Sequence, residues 1–340
     1  MPTKPPTHIY WLDALKTLGL FFVVFGHSYD TGGKLHDYIY SFHIPLFFFI
    51  SGYLVKPESL SRNFSWYWRR HFQALLLPYV TFGAITYLLW LSAGRFHGRD
   101  LALAIPPIKP LVGMLYGVGD DHWLRHNTAL WFFPSLFSLH IIFYWLRRCC
   151  NDLGLAYAVI LLSLVGATAR TYLTFRLPWG IEWACLGLMF YWVGHLMRSL
   201  AFEPRHIKPL WSYLALPVCL AIQILGIQAK GRVDINNIQI DNLIAFYLAA
   251  FSGIMFWGII SQILPPHRTI SSIARESMII FPLHNLCFWA ITFIAGITLQ
   301  LPPDFRQGSI LAAVIYTTIT FTILVYTAPW IRKAFPWLNR

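Results

Sequence analysis

Charge is scarce in this chain. Of 340 residues, 14 are acidic and 26 are lysine or arginine, 12% in all, about half the charged fraction of an ordinary soluble domain. A string of soluble domains is thereby excluded, because such folds need far more polar surface to cover themselves. Cysteine is thin as well. There are five, with Cys185, Cys219 and Cys287 inside apolar stretches and Cys149 beside Cys150. An odd count without CxxC spacing excludes a disulfide framework and a cysteine metal site, and no metal is expected. The formal charge of +12 is not gathered into a basic face. Its cations come singly or in pairs between apolar runs, which is the pattern of membrane-flanking charge and excludes nucleic acid as a partner. Internal repeats, low-complexity tracts and any soluble-domain pattern are missing. No small-residue cleavage site follows the first apolar run, so that run reads as a retained span and not as a signal peptide.

What is present is apolar: 57% of residues are hydrophobic and 17% aromatic. At roughly 20 apolar residues per crossing, spans fall near 10–28, 38–55, 73–93, 128–146, 155–171, 181–199, 209–228, 242–264, 277–299 and 308–330. The expectation is an all-α polytopic membrane protein, a single domain over 1–340, with about ten transmembrane helices in one bundle. Residues 57–72, with Trp66 and Trp68 at headgroup level, read as an interfacial amphipathic helix. Residues 101–118, interrupted by Pro106, Pro107 and Pro110, read as an interfacial or re-entrant piece. Most of the 26 lysines and arginines then lie on the side of the N-terminus, which predicts both termini in the cytoplasm.

Charge at membrane depth is costly and marks function by default. The first span holds Asp13, Lys16 and His27. Asp13 and Lys16 are three residues apart and either pair near the interface or serve the site. His27 lies eleven residues beyond Lys16, about three turns, on nearly the same face and roughly 16 Å along the axis. The second span adds His43, with Pro45 expected to loosen the helix beside it. One intramembrane histidine is commonly a packed core residue; two in consecutive spans point further.

These residues carry a resemblance. Asp13-x-x-Lys16-x-x-Gly19 leading to Gly26-His27-Ser28, then Phe42-His43-x-Pro45 through Ser51-Gly52-Tyr53, resembles the opening of the acyltransferase-3 family of integral-membrane O-acyltransferases. Trp68-Arg69-Arg70 before Leu77-Pro78-Tyr79, Asn127 to Pro134, Phe190 to His195 and Ser272 to His284 resemble later family motifs, so the likeness spans most of the chain. Two positions depart from it. Lys16 stands where many members carry arginine, keeping the cation without the planar fork. Glu276 stands where an asparagine-like residue belongs, and no role is carried over to it.

The resemblance implies acyl-CoA, most simply acetyl-CoA, as donor co-substrate and a saccharide as acceptor, either a polysaccharide or a lipid-linked oligosaccharide. Membrane lipids and polysaccharide assembly proteins are the further partners, and the bacterial inner membrane is the location. O-acyl transfer needs a base for the sugar hydroxyl, donors for the developing oxyanion and a grip on the carrier. His27 suits the base, with His43 and Asp13 as catalytic companions. Arg69, Arg70 and Lys16 would hold the carrier's phosphates. His122, His126, Asn127 and Trp131, at the mouth of the fourth span, and His284, at the end of the late motif, are the candidates for the acceptor. The loop with Asp234, Asn236, Asn237, Asp241 and Asn242 could also meet sugar hydroxyls or simply be solvated. A rival reading is a transporter or flippase of a lipid-linked sugar in which Asp13, Lys16 and His27 relay protons. A third has the chain import an acyl group for a separate partner. The missing inverted repeats count against a transporter.

Overall fold

The computed structural model describes residues 9–29, 32–119, 122–200, 209–230, 240 and 242–339, and among them it is all helix and turn. The chain runs through α1 (Tyr10–Ser28), α2 (Lys34–Tyr40), α3 (His43–Leu54), α4 (Pro57–Leu60), α5 (Phe64–His71) and α6 (Leu77–Ser92). Two short helices follow, α7 (Gly98–Leu103) and α8 (Ile108–Tyr116), then α9 (Phe132–Cys149), α10 (Asp152–Tyr172) and α11 (Ile181–Ser199). The last five are α12 (Pro209–Lys230), α13 (Leu243–Ile263), α14 (Arg268–Arg275), α15 (Ser277–Leu299) and α16 (Ile310–Ala334). The loop expected to offer Asp234, Asn236, Asn237 and Asp241 lies outside the described residues.

Seven segments among the described residues are long and apolar enough to cross a bilayer: Phe64–Phe96, Thr128–Cys149, Asp152–Ala169, Leu210–Ala229, Leu243–Ile263, Ser277–Leu299 and Ile310–Ala334. Their outward faces are apolar, as at Leu161, Leu225, Ile244 and Leu311, because the surrounding solvent is hydrocarbon. α1 and α11 are each 19 residues long, about 28 Å, and their apolarity is diluted by Asp13, Lys16 and His27 in one and Glu182, His195 and Arg198 in the other. The protein is thus an all-α polytopic membrane protein.

The expected second span is corrected. Residues 38–55 are not one helix: α2 ends at Tyr40 and α3 begins at His43. Phe42 leaves helical geometry at φ −136°, ψ −22°, and the Ser41 hydroxyl turns back to donate to the Tyr38 carbonyl at 2.8 Å. Pro45 sits in the first turn of α3, where its missing N–H leaves no hydrogen bond unmade; it starts a helix instead of loosening one. With 12 residues, α3 spans about 18 Å, short of a hydrocarbon core of roughly 30 Å.

α3 is held by its closeness to α11. A Cβ on Gly52 would stand 1.9 Å from the Tyr191 carbonyl oxygen, and one on Gly194 would stand 2.2 Å from that of Phe49. The two backbones therefore touch directly, as small residues permit between membrane helices. α1 is surrounded by α3, α13, α14, α15 and α16. Its first half leans on α14 and the turn before it: the Tyr10 hydroxyl donates to the Pro265 carbonyl in that turn at 2.6 Å, and Thr17 to that of Ile270 on α14 at 2.9 Å.

The segments around 57–72 and 101–118 are both broken. From Phe64 the helix continues through a π-helical turn at Phe72–Leu76 directly into α6. In the second segment Ala104 adopts φ 47°, separating α7 from the nine-residue α8.

Candidate active site

The break between α2 and α3 is what assembles the site. It sets His43 at the first position of α3, facing the end of α1, where a Cβ on Gly26 would already lie 3.2 Å from the Tyr40 ring. α15 supplies the third wall. Its His284 ring lies 5.1 Å from that of His27, centroid to centroid, and His43 lies within electrostatic range of both His27 and His36. Imidazoles from three helices converge.

Two of the three are fixed in their tautomer. His43 is buried and its Nδ1 faces the Ile39 carbonyl at 2.8 Å; His284 is fully buried and its Nδ1 faces the Phe281 carbonyl at 2.6 Å. A carbonyl only accepts, so each Nδ1 carries a proton, and the lone pair of the neutral form of each ring is on Nε2. The Nε2 of His284 is buried and makes no hydrogen bond among the described residues. His27, half-buried at the last turn of α1, lies between the other two.

Beside this group opens a cavity of about 600 Å³ between α6, α15, the start of α7 and the turns at 94–97, 125–128 and 301–306. Its floor is polar. Asn127, 2% exposed, donates from Nδ2 to the Pro282 carbonyl at 2.7 Å, and Asn285 donates in turn to Asn127 Oδ1 at 3.3 Å. Arg306 reaches in from the α15–α16 loop, with its guanidinium 4.9 Å from the Phe288 ring and within electrostatic range of His284. On one side Arg125 is held by Asp100, which also accepts from the Trp90 indole at 2.7 Å. His126 lines the cavity with both ring nitrogens buried and unbonded among the described residues; burial pushes its imidazole down to about 4.

The remaining predicted residues divide plainly. His126 and Asn127 line the cavity, whereas His284 lies just beyond its floor, next to Asn285. His122 adopts φ 66° in the same loop and does not line the cavity. Trp131 packs 5.2 Å from the Trp183 ring, away from it. Asp13 lies within electrostatic range of Lys16, and α1 places it about 21 Å along the axis from His27. Arg69 and Arg70 are exposed on α5, Arg70 lying 5.5 Å over the Trp66 ring. α5 rests against α9, whereas α1 is enclosed by α3 and α13 to α16. Sequence reasoning missed Asn285 and Arg306. Asn285 was visible as the polar neighbour of His284; Arg306, 22 residues further along in a proline-flanked loop, gave no signal beyond being a cation.

A family model described as an acyltransferase domain matches residues 9–328. No curated protein and no solved structure gives a match. The matched span takes in all three converging histidines and the whole cavity, and the chain belongs to the acyltransferase-3 family: it is a polytopic membrane acyltransferase.

Proposed function

We propose that the protein transfers an acetyl group from acetyl-CoA to a hydroxyl of an envelope or exopolysaccharide sugar, in a bacterial inner membrane. The single observation that carries this reading is the position of the three imidazoles, adjoining a polar-floored cavity on one side and the cation-bearing half of α1 on the other. The donor arrives from the α14 end, where Lys16 on α1 supplies positive charge for its phosphates, and the exposed Arg69 and Arg70 on α5 are the further cations proposed for them. The acceptor occupies the cavity at the opposite end.

His27 takes the proton of the attacking hydroxyl as its oxygen adds to the thioester carbonyl. His284, its ring 5.1 Å from that of His27, serves as the orienting third group and accepts from the imidazolium that forms. Asn285 and Arg306, which line the cavity, serve as donors for the oxyanion. The carbon–sulfur bond then breaks, and the departing thiolate receives the proton from His27, so CoA leaves as a thiol and the base is restored. The chemistry needs no covalent enzyme intermediate.

The test is direct. Purified protein is incubated with labelled acetyl-CoA and a panel of oligosaccharides, and the label is followed. Label on the sugar is the expected result. Label that remains on CoA, while vesicle assays show sugar crossing the membrane, would establish a transporter instead.

A further inference from the structure

α12 presents Leu214, Val218 and Leu225 to hydrocarbon. It nevertheless carries Gln223, which is fully buried. Burying an amide in apolar surroundings is costly unless its polar atoms are bonded. Gln223 Nε2 donates to the Ser41 hydroxyl oxygen at 3.0 Å, while Oε1 makes no hydrogen bond among the described residues. Which end of the amide faces Ser41 follows from Ser41 itself. That hydroxyl directs its only proton to the Tyr38 carbonyl, so toward Gln223 it can accept but not donate, and the group facing it is the N–H. Gly253 on α13 makes room for the contact: a Cβ there would stand 2.8 Å from both Gln223 Nε2 and Phe42 Cβ.

Ser41 is the last link before the site. At the end of α2 two consecutive carbonyls are met by side chains from the break: that of Tyr38 by Ser41 Oγ, and that of Ile39 by His43 Nδ1 at 2.8 Å. Successive peptide planes are joined by only two soft dihedrals, so the direction of the first carbonyl constrains that of the next. The geometry points to Gln223 as a positioning residue for His43. Through Ser41 it holds the break in one conformation, and with it the orientation and tautomer of the imidazole. Phe42 does not supply this control. Its buried ring packs 5.3 Å from Phe22 and 6.3 Å from Trp257, and such apolar contacts are non-directional: they seat the break without aiming its carbonyls. The effect on rate rests on the acyltransfer reading; the effect on the ring does not.

The experiment reads both. Protein carrying isotopically labelled histidine is studied by solid-state NMR in bilayers, the His43 signals being assigned by their loss in His43→Gln. The parent should show one tautomer at His43, protonated at Nδ1. Gln223→Met, similar in shape but without a donor, should broaden or split that signal. In transfer assays it should lower kcat by about tenfold to a hundredfold, the effect of a small misplacement at a reacting centre, with KM for acetyl-CoA unchanged. Ser41→Ala breaks the same link from the other partner and serves equally where Gln223→Met fails to fold. The double variant should cost no more kcat than the larger single one, whereas Ser41→Thr keeps the hydroxyl and should keep the activity. Ile222→Leu, on the outward face of α12, should change neither readout. A lower thermal midpoint with the His43 signal and kcat both unchanged would make Gln223 a packing residue and overturn the proposal, leaving acyltransfer intact. A His43 signal that responds to Gln223→Met in a protein that acetylates no acceptor would support the positioning and sink the transfer reading.

Discussion

The described residues hold two groups of histidines within the bundle, and they differ instructively. In one, His27, His43 and His284 face each other from three helices beside a cavity. In the other, the rings of His71 and His140 stack at 3.9 Å, the Tyr191 hydroxyl lies 2.8 Å from His140 Nδ1, and Tyr67 and Tyr144 close the cluster. The residue type is the same and the burial is similar. What differs is the partners: at His284 a backbone carbonyl takes Nδ1 while Nε2 makes no hydrogen bond among the described residues, whereas a phenol and a stacked ring engage His140. The same residue type is thus anchored by the backbone in one group and by side chains in the other.

The largest effect that would test this contrast is at His27. A positioned base contributes about 10²–10⁴-fold to rate, so His27→Ala should lose that much transfer while CoA still raises the thermal stability of the solubilised protein. His27→Gln should be equally inactive, since an amide accepts a hydrogen bond but not a proton. Turnover near the parent rate in either variant would shift the role to His43 or His284. Next in size is Lys16: Lys16→Arg should keep most activity and Lys16→Met should lose most of it, with the loss appearing in KM for acetyl-CoA. If both match the parent, the cation is incidental.

In the second group the losses should appear in stability instead. Tyr191→Phe removes the buried hydroxyl that meets both His140 and Tyr67, each hydrogen bond worth about 1 kcal/mol, and should lower the midpoint of thermal unfolding with little change in kcat. A loss of kcat as large as that of His27→Ala would erase the distinction. The smallest effect concerns pH. His126 is held neutral down to about 4 in the folded protein, against roughly 6.5 for a free imidazole. The unfolded chain therefore binds the extra proton first, and acidification from about 6.5 toward 4 should cost stability. His126→Asn should flatten that part of the stability profile; an unchanged slope would place the titration elsewhere.

The spans were legible because hydrocarbon dictates them residue by residue, as in 277–299, which matches Ser277–Leu299. His27 and His284 were legible as polar groups in apolar runs within a specific motif. The break at Ser41–Phe42 was not, because hydropathy is continuous from Tyr38 to Val55 and the local backbone turn is made by a serine hydroxyl that propensity does not single out. Arg306 was hidden for a different reason: it reaches the floor through the return of a loop, a long-range placement with no periodicity to betray it.

The glycine seam between α3 and α11 makes one rigid lever of the two histidine groups. Tyr191 presses its backbone against Gly52 and offers its hydroxyl to His140, and Gly52 and His43 ride on the same short helix, nine residues apart. A backbone-to-backbone fulcrum has no side chain that could yield, so any roll of α3 must swing His43 and be felt at His140. The aim of the imidazoles is therefore set from the far end of α3 as much as from the cavity. Repacking the interior around His140 would detune a reaction taking place some three helical turns away.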